Sequence, residues 1–459
     1  MQSLWAEREF YGAELWDKRC NASLVRIGHA LCDNAGMAFS SACGESLRQS
    51  GSAIFCHPDT SLEKLQKSHY EETAKRSREY DRVIVAQDTS FLDYSTHHAT
   101  KGLGPIDTRG RTRGLLMHSG LVLSTQGLPL GIIGQQIWAR SDEIGKRHQR
   151  KDLPIEQKES NKWLQGLDWA NRRLSSESCE VCVVGDAESD VFELMCAQRA
   201  ANVEIIIRAT QARNVMVLVS GKQQRMLLPQ ALEHLQSVGT KQVVIQRQNK
   251  SVAVDLKLSI GRIEVCAPKH YPAARKGDTV VMSVVYAQEI AVGSSHEEEP
   301  IEWILLYSGT VTSYEHACQI VEEYACRWTV ERLHYTLKSG LKIEKIQFGD
   351  AKTLSNAIAV YSVVAWRMMW LTYFSRSNPD AKPQDVVDEE SIQVLEAATK
   401  RKLSTSGQVV IAIAKLGGYK GPTRNYRDPG LKVLWIGWSK LMAMLQGWKL
   451  ARKKDKLQD

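Results

Sequence analysis

Long apolar runs are missing from this sequence of 459 residues. None of its apolar stretches approaches the ~20 residues that a membrane-spanning helix needs. The first ten residues, MQSLWAEREF, contain acidic side chains and no apolar segment, so they do not form the pattern of a secretory signal. The sequence also has no internal repeat and no low-complexity tract. We therefore expect a protein that stays in the cytoplasm and has no membrane partner.

Cysteine is present, but it does not form the pattern of a disulfide framework. The ten cysteines are scattered between Cys20 and Cys326, whereas disulfide frameworks are typical of short secreted chains. One Cys-x-x-Cys pair, Cys179 and Cys182, lies in an apolar run and has no second pair nearby. Because structural zinc needs four ligands, we interpret these two as strand residues.

Charge is modest in total and uneven along the chain. The net charge is +8, and residues 400–459 contain 14 Lys and Arg against three Asp. A basic segment of this kind suggests a polyanionic partner, since each neutralised phosphate releases a counterion. A solvated segment that is basic for solubility explains the charge equally well.

The length predicts roughly three domains. Residues 1–78 show helical periodicity, and residues 79–372 alternate apolar strands with helices. Within the second region, Val- and Ile-rich runs bounded by turn residues predict a mostly antiparallel β-insertion at about 205–307. A polar, Pro-containing linker then leads into a smaller helical domain at 373–459. The fold class is therefore α/β, with a helical domain on each side.

Two aspartates follow apolar strands, Asp88 after VIVAQ and Asp186 after CVVG. Ligands gather outside the carboxyl ends of parallel strands, so both positions suit a cation. Asp also caps helices and begins turns, so neither residue is informative alone. Asp190 is a second-ranked alternative to Asp186, because it would project from the first turn of the following helix.

A helix predicted over about 314–339 carries a polar face that contains Glu331. At ~100° per residue, Tyr324, Arg327, Glu331 and Lys338 fall within an arc of roughly 60°. A carboxylate between two cations and a tyrosine combines a metal ligand with groups that could bind phosphate. The opposite stripe, expected to face the core, consists of Cys326, Val330, Leu333 and Leu337.

These four polar residues also carry a family resemblance. The run Tyr324-x2-Arg327-x3-Glu331-x6-Lys338 matches at every spacing the Y-R-E-K signature of the insertion-sequence-four group of bacterial transposases. VAQDTSFLDY and GDAESD resemble the segments that carry this family's first and second catalytic Asp. Further similar segments, from RGLLMHS to LWIGWSKL, lie in the same order, so the resemblance covers most of the chain.

The resemblance implies a ribonuclease-H-like, mixed-sheet core of the Asp-Asp-Glu type. The N-terminal helical domain would recognise transposon ends, and the C-terminal helical domain would mediate dimerisation. Asp88, Asp186 and Glu331 would be the catalytic residues and would bind two Mg²⁺ ions, which Mn²⁺ can replace, since oxygen ligands select such hard cations.

The implied activity is cut-and-paste DNA transposition. The enzyme would nick the transposon ends, excise the element through a DNA hairpin and transfer the 3′ ends into target DNA. Its partners would be the terminal inverted repeats, the target DNA and a second copy of the chain in a paired-end complex. It would be associated with the nucleoid of a bacterium when bound to DNA.

The resemblance also assigns residues that contact DNA. Tyr324, Arg327 and Lys338 would hold the phosphate beside the cleavage site, where the planar fork of arginine suits phosphate oxygens. Trp303 would stack on a base flipped out of the duplex, with Trp328 nearby. Arg208 would reach the DNA near the hairpin. The alternative for Trp303 is that it packs in the core, and the alternative for Arg208 is that it is an ordinary surface residue.

The sequence departs from the family pattern at two places. Ala187 stands where close relatives often have Arg, and DKRCNASLV has fewer arginines than the matching family segment.

Two alternative functions are considered. One alternative is a catalytically inactive DNA-binding inhibitor of transposition. The other is a ribonuclease-H-like nuclease or resolvase. The presence of all three acids argues against the first, and the large insertion argues against the second.

Overall fold

The computed structural model describes residues 5–107, 109–142, 153–176, 178–247, 250–269, 277–290, 300–422 and 428–455. They form helices and a mixed arrangement of parallel and antiparallel strands, so the α/β class is confirmed. The finer expectations, a ribonuclease-H-like core and domain boundaries near residues 78 and 372, stay predictions. The end of the basic segment, 456–459, lies outside the described residues.

The secondary structure elements are numbered here in chain order. The helices are α1 (Trp5–Phe10), α2 (Lys18–Asp33), α3 (Phe39–Cys56), α4 (Leu62–Ser77), α5 (Asn161–Arg173), α6 (Phe192–Cys196), α7 (Leu228–Ala231), α8 (Tyr314–Cys326), α9 (Trp328–Tyr335), α10 (Ala351–Ser377), α11 (Glu389–Thr399), α12 (Ser406–Leu416) and α13 (Leu431–Asp455). The strands are β1 (Arg82–Asp93), β2 (Gly104–Pro105), β3 (Arg113–Ser124), β4 (Pro129–Trp138), β5 (Glu180–Gly185), β6 (Val203–Arg208), β7 (Asn214–Val219), β8 (Lys222–Leu227), β9 (Gln236–Arg247), β10 (Lys250–Cys266), β11 (Thr279–Glu289) and β12 (Glu302–Tyr307).

Contacts between residues divide the chain into two compact units. The first unit contains Met1–Arg76, Thr89–Asp142 and Thr329–Asp459, and the second contains Ser77–Asp88 and Glu143–Trp328. The chain passes from one unit to the other at four places: within α4, within β1, after Asp142 and within α9.

The second unit contains a layer of parallel strands. β1, β5 and β6 pair in parallel, and the apolar run of β5 is buried from Val181 to Gly185. Burial of consecutive residues is typical of a strand that is covered on both faces. Cys182 lies within β5, and Cys179 lies just before it; both are buried.

The Val- and Ile-rich region continues from this parallel layer. β12, β11, β10, β7 and β8 follow β6 in antiparallel order, and β9 pairs with β10. The predicted antiparallel texture is confirmed for these strands. The exception is β6, which falls within the predicted insertion and yet pairs in parallel with β5.

The first unit is organised around α10, a 27-residue helix with an apolar sequence. By length and composition it could span a membrane, but 72% of its most apolar window is buried within the protein. It packs against α2, α3, α12 and β4. Burial of this extent is typical of a core helix.

The apolar segments GLLMHSGLVLS and GLPLGIIGQQIWA, separated by a Gln-Gly turn, predict a hairpin. β3 and β4 confirm it, because they pair antiparallel. α4 covers the outer side of β4 with polar side chains: His69 Nε2 accepts from the Ile132 amide at 2.9 Å, and Arg76 Nε donates to the Leu130 carbonyl at 2.6 Å. Gly131 has a φ of +154°, and a Cβ there would collide with Thr73. Close docking of α4 therefore requires glycine at this position.

Candidate active site

The two candidate aspartates lie at equivalent positions on neighbouring parallel strands. The parallel register of β1 and β5 ends at the pair Ala86 and Val184, and Asp88 and Asp186 each lie two residues further along. Asp186 follows the last residue of β5, as predicted. The prediction that β1 ends at Asp88 is wrong, because this strand continues to Asp93.

Asp88 and Asp186 interact electrostatically with each other and with Arg327. Arg327 Nη1 lies 3.9 Å from Asp88 Oδ1, and both side chains are largely buried, at 15% and 16% exposed. Burial raises the pKa of Asp186, and the negative charge of Asp88 raises it further, although the Glu188 amide and Arg327 act in the opposite direction. Asp88 and Asp186 therefore repel each other and are both attracted by Arg327, and on balance the pKa of Asp186 is raised.

Asp88 and Asp186 have the donor chemistry of a site for a hard divalent cation. Carboxylate oxygens are the ligands that Mg²⁺ prefers, and a cation would relieve the repulsion that contributes to the raised pKa of Asp186. Across the described ranges, no group of three or more His, Cys, Asp or Glu residues is close enough to hold a metal ion. A third protein ligand therefore stays a prediction.

The turn after Asp186 is braced by residues that the sequence analysis missed. The Asp186 carboxylate accepts a hydrogen bond from the Glu188 amide at 2.8 Å and so caps the short 3₁₀ turn Ala187–Ser189. Lys162 on α5, which is 6% exposed, lies with its Nζ 2.9 Å from the Glu188 carboxylate. The Ser189 hydroxyl donates to the Asp186 carbonyl at 2.6 Å. These contacts fix the direction in which Asp186 leaves β5.

Asp190, the second-ranked ligand, is fully engaged in other contacts. Its carboxylate accepts from Arg213 Nε at 2.8 Å and from the amides of Thr210 and Gln211 at 2.9 Å each. Asp190 is 1% exposed. It lies at the end of the 3₁₀ turn, before α6 begins at Phe192, so its predicted place in the first turn of a helix is wrong. Its contacts are those of a structural residue.

Three of the predicted DNA-binding residues cluster on one side of Asp186. The rings of Trp303 and Tyr324 meet edge to face, with centroids 5.1 Å apart. Burial raises the pKa of Tyr324, and the nearby Asp186 adds to this effect, whereas Arg208 and Arg327 oppose it. Arg208 is also within hydrogen-bond reach of Tyr324. The prediction that Tyr324 lies on a polar face is wrong, because it is 5% exposed.

Trp328 differs from the other aromatic residues of the site. Its side chain is 65% exposed, and the Arg327 guanidinium lies 5.9 Å from the centre of its ring. Trp303, in contrast, is half-buried. Trp328 therefore offers an accessible flat surface beside a cation.

The single helix predicted over 314–339 is wrong. α8 ends at Cys326, α9 begins at Trp328, and a π-helical turn follows at Thr336–Gly340. Arg327 keeps right-handed helical angles, whereas the π-helical turn changes the rotation per residue, so the ideal-helix arc does not describe the position of Lys338. In the apolar stripe, Val330, Leu333 and Leu337 are buried as predicted, whereas Cys326 is only half-buried.

Glu331 and Lys338 belong to the first unit. Glu331 is half-buried on α9. Lys338 lies in the π-helical turn, where its ammonium donates to the Phe91 carbonyl at 2.6 Å and lies 3.3 Å from the Glu344 carboxylate. Lys338 therefore already has protein partners that a phosphate would have to displace or share.

Comparison with known proteins adds little to this description. No family model matches the chain. Among solved structures, the chain is similar to the piggyBac transposase in a synaptic complex with hairpin DNA, with 9% sequence identity and a TM-score of 0.35. The match covers 93% of this chain and 72% of that one. A likeness at this level establishes neither a shared fold nor a shared activity.

Proposed function

We propose that this protein is a cut-and-paste DNA transposase that uses metal-dependent phosphoryl transfer. The observation that carries the proposal is the pair Asp88 and Asp186, which lie side by side on parallel strands with Arg327 close to Asp88. An acid with a raised pKa at the carboxyl end of a parallel strand, as Asp186 is, is frequent at functional sites. The Y-R-E-K spacing described above supports the same activity and distinguishes it from other metal-dependent reactions.

In this proposal Asp88 and Asp186 bind Mg²⁺ or Mn²⁺, with Glu331 as the third acidic ligand. The chemistry that two such ions would supply is activation of an attacking oxygen and stabilisation of a leaving oxygen of a phosphodiester. Arg327 holds the scissile phosphate, since a guanidinium between acids and solvent can donate to two phosphate oxygens at once. The raised pKa of Asp186 implies that metal binding strengthens as the pH rises and this carboxylate loses its proton.

The aromatic cluster supplies a surface for an unpaired base. Trp303 is held from one side by the edge of Tyr324, which leaves it half-buried and fixed in orientation. Stacking on such a ring contributes about 1–3 kcal/mol per base, which is comparable with the cost of flipping a base. We assign Trp303 to the hairpin step and the exposed Trp328 to the neighbouring DNA.

The same proposal names the partners and the location. The enzyme binds its terminal inverted repeats and target DNA, and it acts as a homodimer in the cytoplasm of a bacterium. The basic composition of 400–459 supports contact with DNA in this region.

The proposal is tested by DNA cleavage with purified protein. The substrate is a duplex that carries the inverted repeats flanking the gene, in the presence of Mg²⁺ or Mn²⁺. Wild-type protein should nick and then form hairpins. Asp88→Asn and Asp186→Asn should each lose more than about 100-fold in rate, because even residues one contact away from a metal cost about 10–100-fold.

Asp168→Asn is the matched control, since this exposed acid on α5 pairs only with Arg172 among the ion pairs of the described residues. It should cleave like wild type. Binding without cleavage would identify an inhibitor, and cleavage of branched DNA without terminal repeats would identify a nuclease or resolvase. Equal rates in wild type and in Asp186→Asn would refute the metal site.

A further inference from the structure

A cavity of about 490 Å³ lies within the first unit. Its walls come from α1, α4, α10 and the segment just before α11, and every residue that lines it belongs to that unit. Sites for small organic molecules usually have volumes of roughly 300–1,000 Å³. We refer to this space as the Trp5 cavity, after the first residue that lines it.

Arg367 on α10 lines the Trp5 cavity and forms no ion pair with another described residue. It is 9% exposed, and its Nη2 donates to the Val386 carbonyl at 3.2 Å. Burial lowers the pKa of Arg367 to about 10, although the charge of Glu9 acts in the opposite direction. The guanidinium is therefore charged at neutral pH, and a buried charge without a counterion is costly. An anion in the cavity would supply the missing acceptors.

Arg76, which also lines the cavity, has its counterion within the protein. Its guanidinium pairs with the Glu9 carboxylate at 2.7 Å and lies 4.5 Å from the centre of the Trp366 ring. Glu9 is 2% exposed and is also in contact with His69. The Glu9 carboxylate is therefore engaged by Arg76 and His69, and Arg367 is the buried cation that is left for a ligand.

Two tryptophans flank the Arg367 guanidinium. Its central carbon lies 4.5 Å from the centre of the Trp370 ring and 6.0 Å from the centre of the Trp5 ring. Both tryptophans are half-buried, so each keeps a surface that a ligand can cover. A planar ring that carries an anionic group would pack against these indoles while the anion pairs with the guanidinium.

Acidic residues in the lining restrict the charge of such a ligand. Asp385 and Asp388 accept from backbone amides at 3.1 and 2.8 Å, and Glu389 accepts from Gln384 at 3.0 Å. These carboxylates would repel a dianion more strongly than a monoanion. A phosphate monoester carries about −1.5 to −2 at neutral pH, whereas a carboxylate carries a single charge. An unpaired guanidinium beside several acids therefore favours a carboxylate.

A second cavity, of about 60 Å³, also borders Arg367. The Trp438 indole lines it, and its buried Nε1 has no hydrogen-bond partner among the described residues. A space of this size has room for water but not for a ring, and water there would accept from Trp438. The ligand therefore belongs in the larger Trp5 cavity.

We propose that the Trp5 cavity binds a small aromatic carboxylate, with its carboxylate on Arg367 and its ring against Trp5 and Trp370. The site contains neither Asp88 nor Asp186, so it does not depend on the proposed function. Its walls include residues from both ends of the sequence. An occupant should therefore also raise the melting temperature of the full-length protein.

Isothermal titration calorimetry of the full-length protein with indole-3-acetate tests the proposal. The wild type should bind this probe, and indole-3-acetamide, which has the same ring without the charge, should bind at least about 10-fold more weakly. Arg367→Met should lose at least about 10-fold in affinity for indole-3-acetate, because a charge-assisted hydrogen bond is lost. Trp5→Leu should weaken binding by about 2- to 10-fold, the scale of one aromatic contact.

Arg376→Met is the matched control, because Arg376 is an exposed arginine on the same helix and does not line the cavity. It should bind like wild type. The comparison of acid with amide needs no variant, so the test holds even if Arg367→Met is unstable. Equal affinity for acid and amide, or equal affinity of wild type and folded Arg367→Met for the acid, would overturn the anion site. Tighter binding of a nucleoside monophosphate than of indole-3-acetate would overturn the choice of a carboxylate, and no binding of any probe would refute the site.

Discussion

At each end of the parallel layer formed by β1 and β5 in the second unit, one arginine lies beside acidic side chains. The ion pairing differs between the two ends. At the amino end, Arg82 donates to Glu323 at 2.6 Å, to Glu180 at 2.8 Å and to Glu204 at 3.2 Å. At the carboxyl end, Asp88 and Asp186 lie beside Arg327, whose contact with Asp88 is 3.9 Å long. The ion pairs of the first cluster are of hydrogen-bond length, whereas the contact between Arg327 and Asp88 is longer.

The pKa shifts express this difference. Burial alone would lower the pKa of Arg82, but the hydrogen bond and charge of Glu323 more than compensate, and the pKa is raised. The charged form of Arg82 is therefore the stable one. For Asp186 the raised pKa means that ionisation is less favourable than for a free carboxyl group. Buried acids with a raised pKa are frequent at sites that bind a ligand of opposite charge.

Replacement of Arg327 should have the largest effect on activity. Arg327→Met should lower the cleavage rate about 100-fold, the scale for loss of one donor to a developing charge. Arg327→Lys should recover only part of it, because an ammonium lacks the planar fork. Rates of nicking measure the effect, with the exposed Arg332→Met as control. A full recovery by lysine would show that charge alone is needed.

Replacement of Arg82 should have its main effect on stability. Arg82→Met leaves Glu323, whose side chain is 3% exposed, without its cation. The free energy of unfolding should fall by about 3 kcal/mol, as expected for a broken buried ion pair. Urea denaturation measures this change, and the cleavage rate per folded molecule should stay as in wild type. Loss of activity at full stability would remove the distinction between the two ends.

Trp303 tests the aromatic side of the carboxyl end. Trp303→Ala should permit nicking and slow hairpin formation about 10-fold, in line with the loss of one base stack. Trp303→Phe should retain most of the rate. Gel assays that resolve nicked and hairpin products separate the two steps. Equal losses in both steps would mean that this tryptophan only packs against Tyr324.

The smallest effect concerns stability and pH at Asp186. Its pKa is raised in the folded protein, so its contribution favours folding at low pH and is lost as the pH rises through the folded pKa. Asn cannot ionise and still caps a turn. Metal-free Asp186→Asn should therefore melt at a higher temperature than wild type at neutral pH, and the two should converge in acid. A lower melting temperature at neutral pH would contradict this.

Several strands could be predicted from the sequence, because they depend on patterns within a few residues. The hairpin of β3 and β4, the buried run of β5 and the antiparallel strands after β6 are confirmed, because alternation and turn residues are visible within a few positions. The relation of Asp88 to Asp186 also followed, since parallel strands align their carboxyl ends. The residues that complete the metal site stay a prediction.

Contacts between distant segments could not be read in this way. Lys162 and Glu188 are 26 residues apart, and Gln66 and Ala359 are 293 apart. The break at Arg327 was also invisible, because this residue keeps right-handed helical angles and its neighbours are compatible with a helix. β1 extends past Asp88, where Thr89 and Phe91 are residue types that favour strands.

The ion pair between Asp190 and Arg213 has a consequence for any shortened form of this protein. Asp190 ends the turn that begins at Asp186, and its partners at 210–213 lie where the chain leaves β6 for the antiparallel strands. Removal of those strands would leave a buried carboxylate without its cation. A minimal catalytic fragment would then need an apolar residue at position 190. In the full chain, the segment that leads into the antiparallel strands holds the turn after Asp186 in place.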